Sequence, residues 1–270
     1  MTFAALAAAA AAAASPVAYL QAHQLPSGAF AEPGGQPSPT LTAWAVLALR
    51  AAGATPKRDA LAYLRAHEAE LEAVPDAEVV ALAETALGGD ANTLVARVRG
   101  AMHPSGAIGD ALNSTFWGIL ALAQAHEPVP RVSVRYVLAH QSRGGGWSWA
   151  AGGRPDSNDT AAAIEALRAA GVRGRPIGRA LRFLRRYRNR DGGYGLDVHR
   201  GSDAQSTAWV LQAYAAAGVR ARGGARTYLL RLRRRDGSFR YSARYAITPV
   251  WVTAQVVPAL AGAPFPLRTP

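Results

Sequence analysis

The sequence predicts an all-α fold, six helical hairpins closed into an (α/α)6 toroid. Three observations lead there. One short pattern returns four times with its spacing kept, and a threonine opens an Ala/Leu-rich run shortly after each copy. The two helices of each unit also differ, one carrying arginines and the other apolar nearly all round.

The pattern reads aromatic, apolar, three residues, Gln or Arg, three residues, Gly, any residue, aromatic. Its copies are Tyr19-Leu20…Gln24…Gly28-x-Phe30, Tyr136-Val137…Gln141…Gly145-x-Trp147, Phe183-Leu184…Arg188…Gly192-x-Tyr194 and Tyr228-Leu229…Arg233…Gly237-x-Phe239. The threonines that follow are Thr42, Thr160, Thr207 and Thr253. A period of roughly 40–47 residues marks stacked supersecondary units.

Taken in order, the first unit turns at Gly28, and its second helix starts near Ser38 and runs through Thr42–Leu49. A second unit at Tyr63-Leu64 lacks the glycine turn, but Pro75-Asp76 opens an Ala/Leu run to Leu87. The third keeps Gly106-x-Ile108, then Asn113-Ser114-Thr115-Phe116-Trp117, with a helix start near Asp110. In the fourth, Val134, Val137 and Leu138 recur at helical spacing within Arg131–His140. Gly144-Gly145-Gly146 stops that helix, because glycine takes left-handed angles cheaply. Asp156 or Ser157 then caps a second helix, Asp159–Ala170, which ends at Gly171. The fifth and sixth units copy this plan from Asp203 to Gly218 and from Thr248 to Gly262. Val250–Val257 is the only β-rich tract, and its place in the repeat makes it helix.

A helix apolar on every side must be enclosed, while one with a charged face borders water. The second helices therefore form an inner ring and the first ones an outer ring. The expected organisation is an Ala-rich segment at 1–15, one toroid domain at 16–262 and a tail at 263–270.

Composition narrows the chemistry. The 270 residues are long enough to bury a large core, and cysteine is absent, which excludes disulfides, thiolate metal sites and Cys nucleophiles. The net charge of +12 is almost all arginine, since Lys57 is the only lysine. Eighteen arginines lie between Arg173 and Arg244, so this half could contact an anionic surface; no nucleic-acid motif accompanies them. The plainer reading is a solvated helix face. Residues 1–14 and Ser15-Pro16 resemble the apolar core and small-residue end of a signal peptide without its basic start, so secretion and a cytoplasmic location both stay open. No run reaches the roughly 20 strongly apolar residues of a transmembrane helix.

The repeat resembles the QW repeat of the squalene and hopene cyclases, and the toroid resembles those cyclases and protein prenyltransferase β-subunits. The copy at Tyr136–Trp147 matches best, through Gln141, Gly145 and Trp147. The resemblance gives these residues a structural role, tying outer helices together. In class II terpene cyclases the chemistry sits in Asp-x-Asp-Asp-Thr-Ala at the start of one inner helix. Asp156-Ser157-Asn158-Asp159-Thr160-Ala161 stands in that register, with Asn158 at the proton-donor position. An amide cannot protonate an alkene. Asp156 and Asp159 are the remaining acids, each near a helix N-terminus, where a carboxylate is stabilised and its pKa falls. They also read as an N-cap and a first-turn acid, with Asp203 repeating the cap.

The family's other chemistries fail on composition. Protein prenyltransferases hold zinc with Asp, Cys and His, and lanthionine cyclases with two Cys and a His. The six histidines show no ligand spacing, so neither metal nor cofactor is expected. Trp44, Phe116, Trp117, Trp209 and Trp251 lie near inner-helix starts, and those facing the cavity would line it for a hydrocarbon or a developing carbocation. The resemblance thus implies an apolar, isoprenoid-like ligand in the central cavity, with cyclisation or isomerisation through Asp156 or Asp159. The alternative is a non-catalytic binding or scaffold module on the same fold.

Overall fold

The computed structural model describes residues 14–221 and 223–267. Expectations for the Ala-rich start at 1–13 lie outside the described residues. Among those described, twelve α-helices alternate between two rings. The outer helices are α1 (Pro16–Ala22), α3 (Ala60–Ala66), α5 (Asn92–Gly100), α7 (Arg131–Ala139), α9 (Arg175–Arg185) and α11 (Ala225–Arg231). The inner ones are α2 (Pro39–Ala51), α4 (Val74–Ala86), α6 (Leu112–Gln124), α8 (Ser157–Ala169), α10 (Ala204–Ala216) and α12 (Pro249–Ala261). Each inner helix packs on two inner neighbours, and α12 packs on α2, so the ring closes.

The repeating threonine has a specific job. Its hydroxyl accepts the backbone N–H of the residue that ends each turn: Thr42 from Phe30, Thr115 from Ile108, Thr160 from Trp147, Thr207 from Tyr194 and Thr253 from Phe239, all at 2.9–3.0 Å. These bonds are buried, where an unpaired N–H costs about 1–3 kcal/mol. A hydroxyl acceptor is required there, and the isosteric valine would orphan the donor.

The pattern's glutamines tie one outer element to the next. Gln141 Nε2 donates to the carbonyls of Gly145 and Pro176, each at 2.9 Å. Gln24 Oε1 accepts from the N–H groups of Lys57 and Arg58 just before α3. The glycine allows close approach: Gly145 has φ +99°, and a Cβ there would sit 2.7 Å from the Arg179 carbonyl oxygen. Ring closure uses the same device. A Cβ on Gly237 would meet the Ser15 carbonyl at 2.5 Å, and Arg233 donates to the Ala14 carbonyl at 2.7 Å.

Helix starts follow the capping residues in part. Ser38, Asp156 and Asp203 cap α2, α8 and α10 with their side chains. Thr248 does not cap α12; Glu32 reaches across the closure instead and accepts the N–H groups of Val250 and Trp251 at 2.9 and 2.8 Å. An acidic side chain suits a helix N-terminus, which carries partial positive charge.

The toroid does not end at Gly262. Ala263–Leu267 turn into the ring, burying Phe265 and Leu267. Phe265 N–H donates to Glu165 Oε2 at 2.6 Å, and Leu267 exchanges backbone hydrogen bonds with the Gln124 amide. The expected tail is therefore a plug, at least through Leu267. An apolar Phe-Pro-Leu stretch is more stable against the bore than in water.

Candidate functional site

Counting from each threonine locates the axis. The residues two positions after it are Trp44, Trp117, Ala162, Trp209 and Gln255, and two before it come Asn113, Asn158, Gln205 and Trp251. Positions four apart share one helix face. All nine border a single cavity of about 410 Å³ at the N-terminal ends of the inner helices.

Its floor is aromatic. Trp44, Trp117 and Trp209 come from alternate inner helices α2, α6 and α10, and meet edge to face with centroids 5.2–5.8 Å apart and planes at 76–87°. Such geometry sets the positive edge of one ring against the negative face of another. Ala162 and Gln255 on intervening helices leave room for three indoles at one level. Beneath them lies Phe265, its centroid 6.0–6.3 Å from each. The bore is thus sealed below and open above.

The wall and rim come from loops over the helix starts. Asn113 N–H donates to the Trp149 carbonyl at 3.0 Å, which holds the exposed Trp149 at the cavity edge. Ser157 bonds to the Gly195 and Leu196 carbonyls and brings Leu196 to the wall.

Three polar groups sit together on the α8 turn. Asp156 is the N-cap, accepting the Asp159 N–H at 2.8 Å. Asp159 is buried, and Asn113 Nδ2 donates to its Oδ1 at 2.5 Å. Burial pushes the Asp159 carboxyl up to about 8, and hydrogen bonding and charge from Asp156 push the same way, against a smaller pull down from Asn113. The expectation that the helix start would lower its pKa is overturned: loss of water and an adjacent carboxylate outweigh the helix dipole. Its surroundings thus favour the neutral, protonated form of Asp159 over the carboxylate. Asn158 also borders the cavity, one residue nearer the helix start.

The structure brings Asp156, Asn158 and Asp159 to one cavity with Trp44, Trp117, Trp209 and Trp251. Phe116 is a correction: it is fully buried among the helices and does not border the cavity. One residue before Trp117 on a helix, it points about 100° away. Asn113, Trp149, Leu196, Gln205 and Gln255 were not picked out from the sequence. The threonine register would have found Asn113, Gln205 and Gln255; no periodic signal marks Trp149 or Leu196. Among the described residues no cluster of His, Cys, Asp and Glu could hold a metal, and no helix is long and apolar enough to cross a membrane.

No protein-family model matches the chain, and no curated protein matches its sequence. Solved structures do. The type II terpene cyclase MstE from Scytonema superposes with a TM-score of 0.68 at 16% identity, covering 91% of this chain and 95% of that one. An Asp-to-Asn variant of MstE in complex with the substrate geranylgeranyl dihydroxybenzoate gives 0.68 at 15% identity, over 91% and 94%. Candida albicans protein geranylgeranyltransferase-I complexed with GGPP gives 0.65 at 12% identity, over 84% and 86%. At these identities the likeness is one of fold, and the chain has the α/α-toroid fold of the type II terpene cyclases and prenyltransferases.

Proposed function

We propose that the cup above the tryptophan floor binds an isoprenoid-like ligand, and that Asp159 holds the proton available to it. One observation carries this reading: a buried carboxyl, whose burial favours the protonated form, and three indoles meeting edge to face border the same cavity. The apolar chain lies on the indoles, and the polar end meets Asn113 and Gln205 nearer the rim. Among the described residues, Asp156 and Asp159 are the only ionisable groups bordering the cavity, and no cation is among them. The head group is therefore neutral or positively charged rather than a diphosphate.

If turnover occurs, the proton passes from the Asp159 O–H to an alkene carbon, leaving a carbocation over the indole faces. Cation–π attraction favours that charge in a dry site. Loss of a proton from a neighbouring carbon then completes an isomerisation or cyclisation. The Asn113 side-chain Nδ2–H stabilises the carboxylate left behind.

The alternative of a binding module without turnover draws on Asn158, an amide where the cyclase motif has its acid. A carboxyl titrating near 8 is also a weak donor towards an alkene. The two readings separate in one experiment. The purified protein is incubated with squalene, geranylgeraniol and a geranylgeranylated arene, and ligand binding and products are followed by calorimetry and mass spectrometry. Turnover abolished by Asp159→Asn, with binding retained, supports the catalytic reading. Saturable binding with no product in wild type, but product from Asn158→Asp, supports the binding module. Absence of saturable binding to any of the three defeats the proposal.

A further inference from the structure

The outer wall holds a second concave site of different chemistry. Arg143, Arg179, Arg182 and Arg186 converge with Phe183 and Gly144 on a cleft of about 300 Å³. It lies between the turn after α7 and the outward face of α9. Neither helix nor the turn 140–146 contains a carboxylate. The acid nearest in sequence, Asp191, follows Arg186 by five residues, and its Oδ1 accepts the Gly193 N–H and the Ser202 O–H; among the described residues no carboxylate lines the cleft.

The guanidinium groups are placed rather than loose. Arg179 Nη2 donates to the carbonyls of Ser142 and Arg143 at 2.8 and 3.0 Å, and Arg186 Nη2 donates to the Gly144 carbonyl at 3.2 Å. Arg186 also stacks over Phe183, 4.8 Å from the ring centroid. Carbonyls and an aromatic face orient these groups without cancelling their charge, and each keeps unused N–H donors. Arg143 and Arg182 are exposed, with no side-chain hydrogen bond or ion pair in the described structure. Four planar donors in a concavity without a counter-charge match the oxygens of a phosphate group, which guanidinium binds through paired N–H···O contacts.

We propose that this cleft is a binding site for a phosphate-type anion, separate from the central cup. Free pyrophosphate and the phosphomonoester headgroup of phosphatidate share that chemistry. Calorimetry with pyrophosphate tests one source; flotation with phosphatidylcholine vesicles, plain or doped with phosphatidate, tests the other. The variants are Arg143→Gln/Arg182→Gln, whose exposed side chains leave the fold intact, Arg186→Lys, which keeps charge but loses the fork and the stacking, and a remote control, Arg235→Gln/Arg244→Gln.

The cleft double variant should weaken binding about a hundredfold, roughly tenfold per arginine, at unchanged thermal stability. Arg186→Lys should weaken it less than the double variant but more than the control. Affinity should fall as salt rises. Such losses with pyrophosphate identify a free anion as the ligand, and losses confined to phosphatidate vesicles identify a headgroup. No saturable binding of either probe, or an equal loss in the remote control, overturns the site.

Discussion

Glu165 offers a sharp test of how the bore is built. It lies on α8, wholly buried; its Oε2 takes the Phe265 N–H and its Oε1 has no partner. Burial pushes its carboxyl from 4.5 up to about 8, the Phe265 hydrogen bond opposing only in part. A folded pKa above the unfolded one means the native state binds more protons between those values. The stability this group contributes is fully present below about pH 4.5 and is lost as pH rises to about 8. At roughly 1.4 kcal/mol per pH unit, the full loss is about 5 kcal/mol, an upper figure that local relaxation and water entry reduce to several. Glu165→Gln keeps an acceptor for the Phe265 N–H and cannot ionise. At pH 5 the two proteins should differ by less than about 1 kcal/mol, because each presents a neutral side chain of the same shape. At pH 9 the variant should be more stable by about 2–4 kcal/mol. Guanidinium melts at both pH values measure this, with the midpoint read at constant slope. Other buried carboxyls titrate alike in both proteins and cancel in the difference. A difference between variant and wild type that does not change from pH 5 to pH 9 refutes the argument.

Two further perturbations probe the same architecture. Phe265→Ala removes a fully packed ring from beneath the tryptophan floor and should cost about 3–5 kcal/mol, read from denaturant midpoints; it should also let the cup accept longer ligands, read from the chain length bound most tightly. Gly237→Ala places a methyl 2.5 Å from the Ser15 carbonyl at a φ of +91°, and should destabilise by at least about 2 kcal/mol, whereas Gly152→Ala, at a φ of +77° with nothing within 4 Å, should cost only the backbone strain of about 1 kcal/mol.

The ring was legible because its determinants are local and repeated. The glycine, the threonine and the apolar runs all act within one unit, so spacing alone exposes them. The inner helix at Val74–Ala86 was readable without its glycine or threonine because its apolar run remained. The parts that were not legible depend on distant pairs. Glu32 capping α12 joins residues 218 and 219 positions apart. Phe265 meeting Glu165 joins two that are 100 apart, and Gln124 holds Leu267 across 143. None leaves a periodic trace. The pKa of Asp159 was misjudged for the same reason: the helix start is visible in sequence, but the burial that raises the value is not.

The alternation of large and small residues around the axis explains where a ligand can go. Six indoles at one level would overfill the bore, and six alanines would leave it open from end to end. Three tryptophans from α2, α6 and α10, interleaved with smaller residues, meet in a triangle that divides the bore in two. Below it the chain fills the space with its own Phe265 and satisfies that segment's N–H groups with Glu165 and Gln124, so the floor is backed by packed protein and does not yield. Above it, about 410 Å³ stays free at the helix starts, where backbone N–H groups and Asp156, Asn158 and Asp159 collect. A ligand entering there meets a rigid aromatic base and a polar rim that sort its ends. Its apolar end must fit above the triangle, and its polar end must tolerate two carboxyl groups without a cation. On the proposed reading, such a cup would select by head-group charge and by chain length together, with or without turnover.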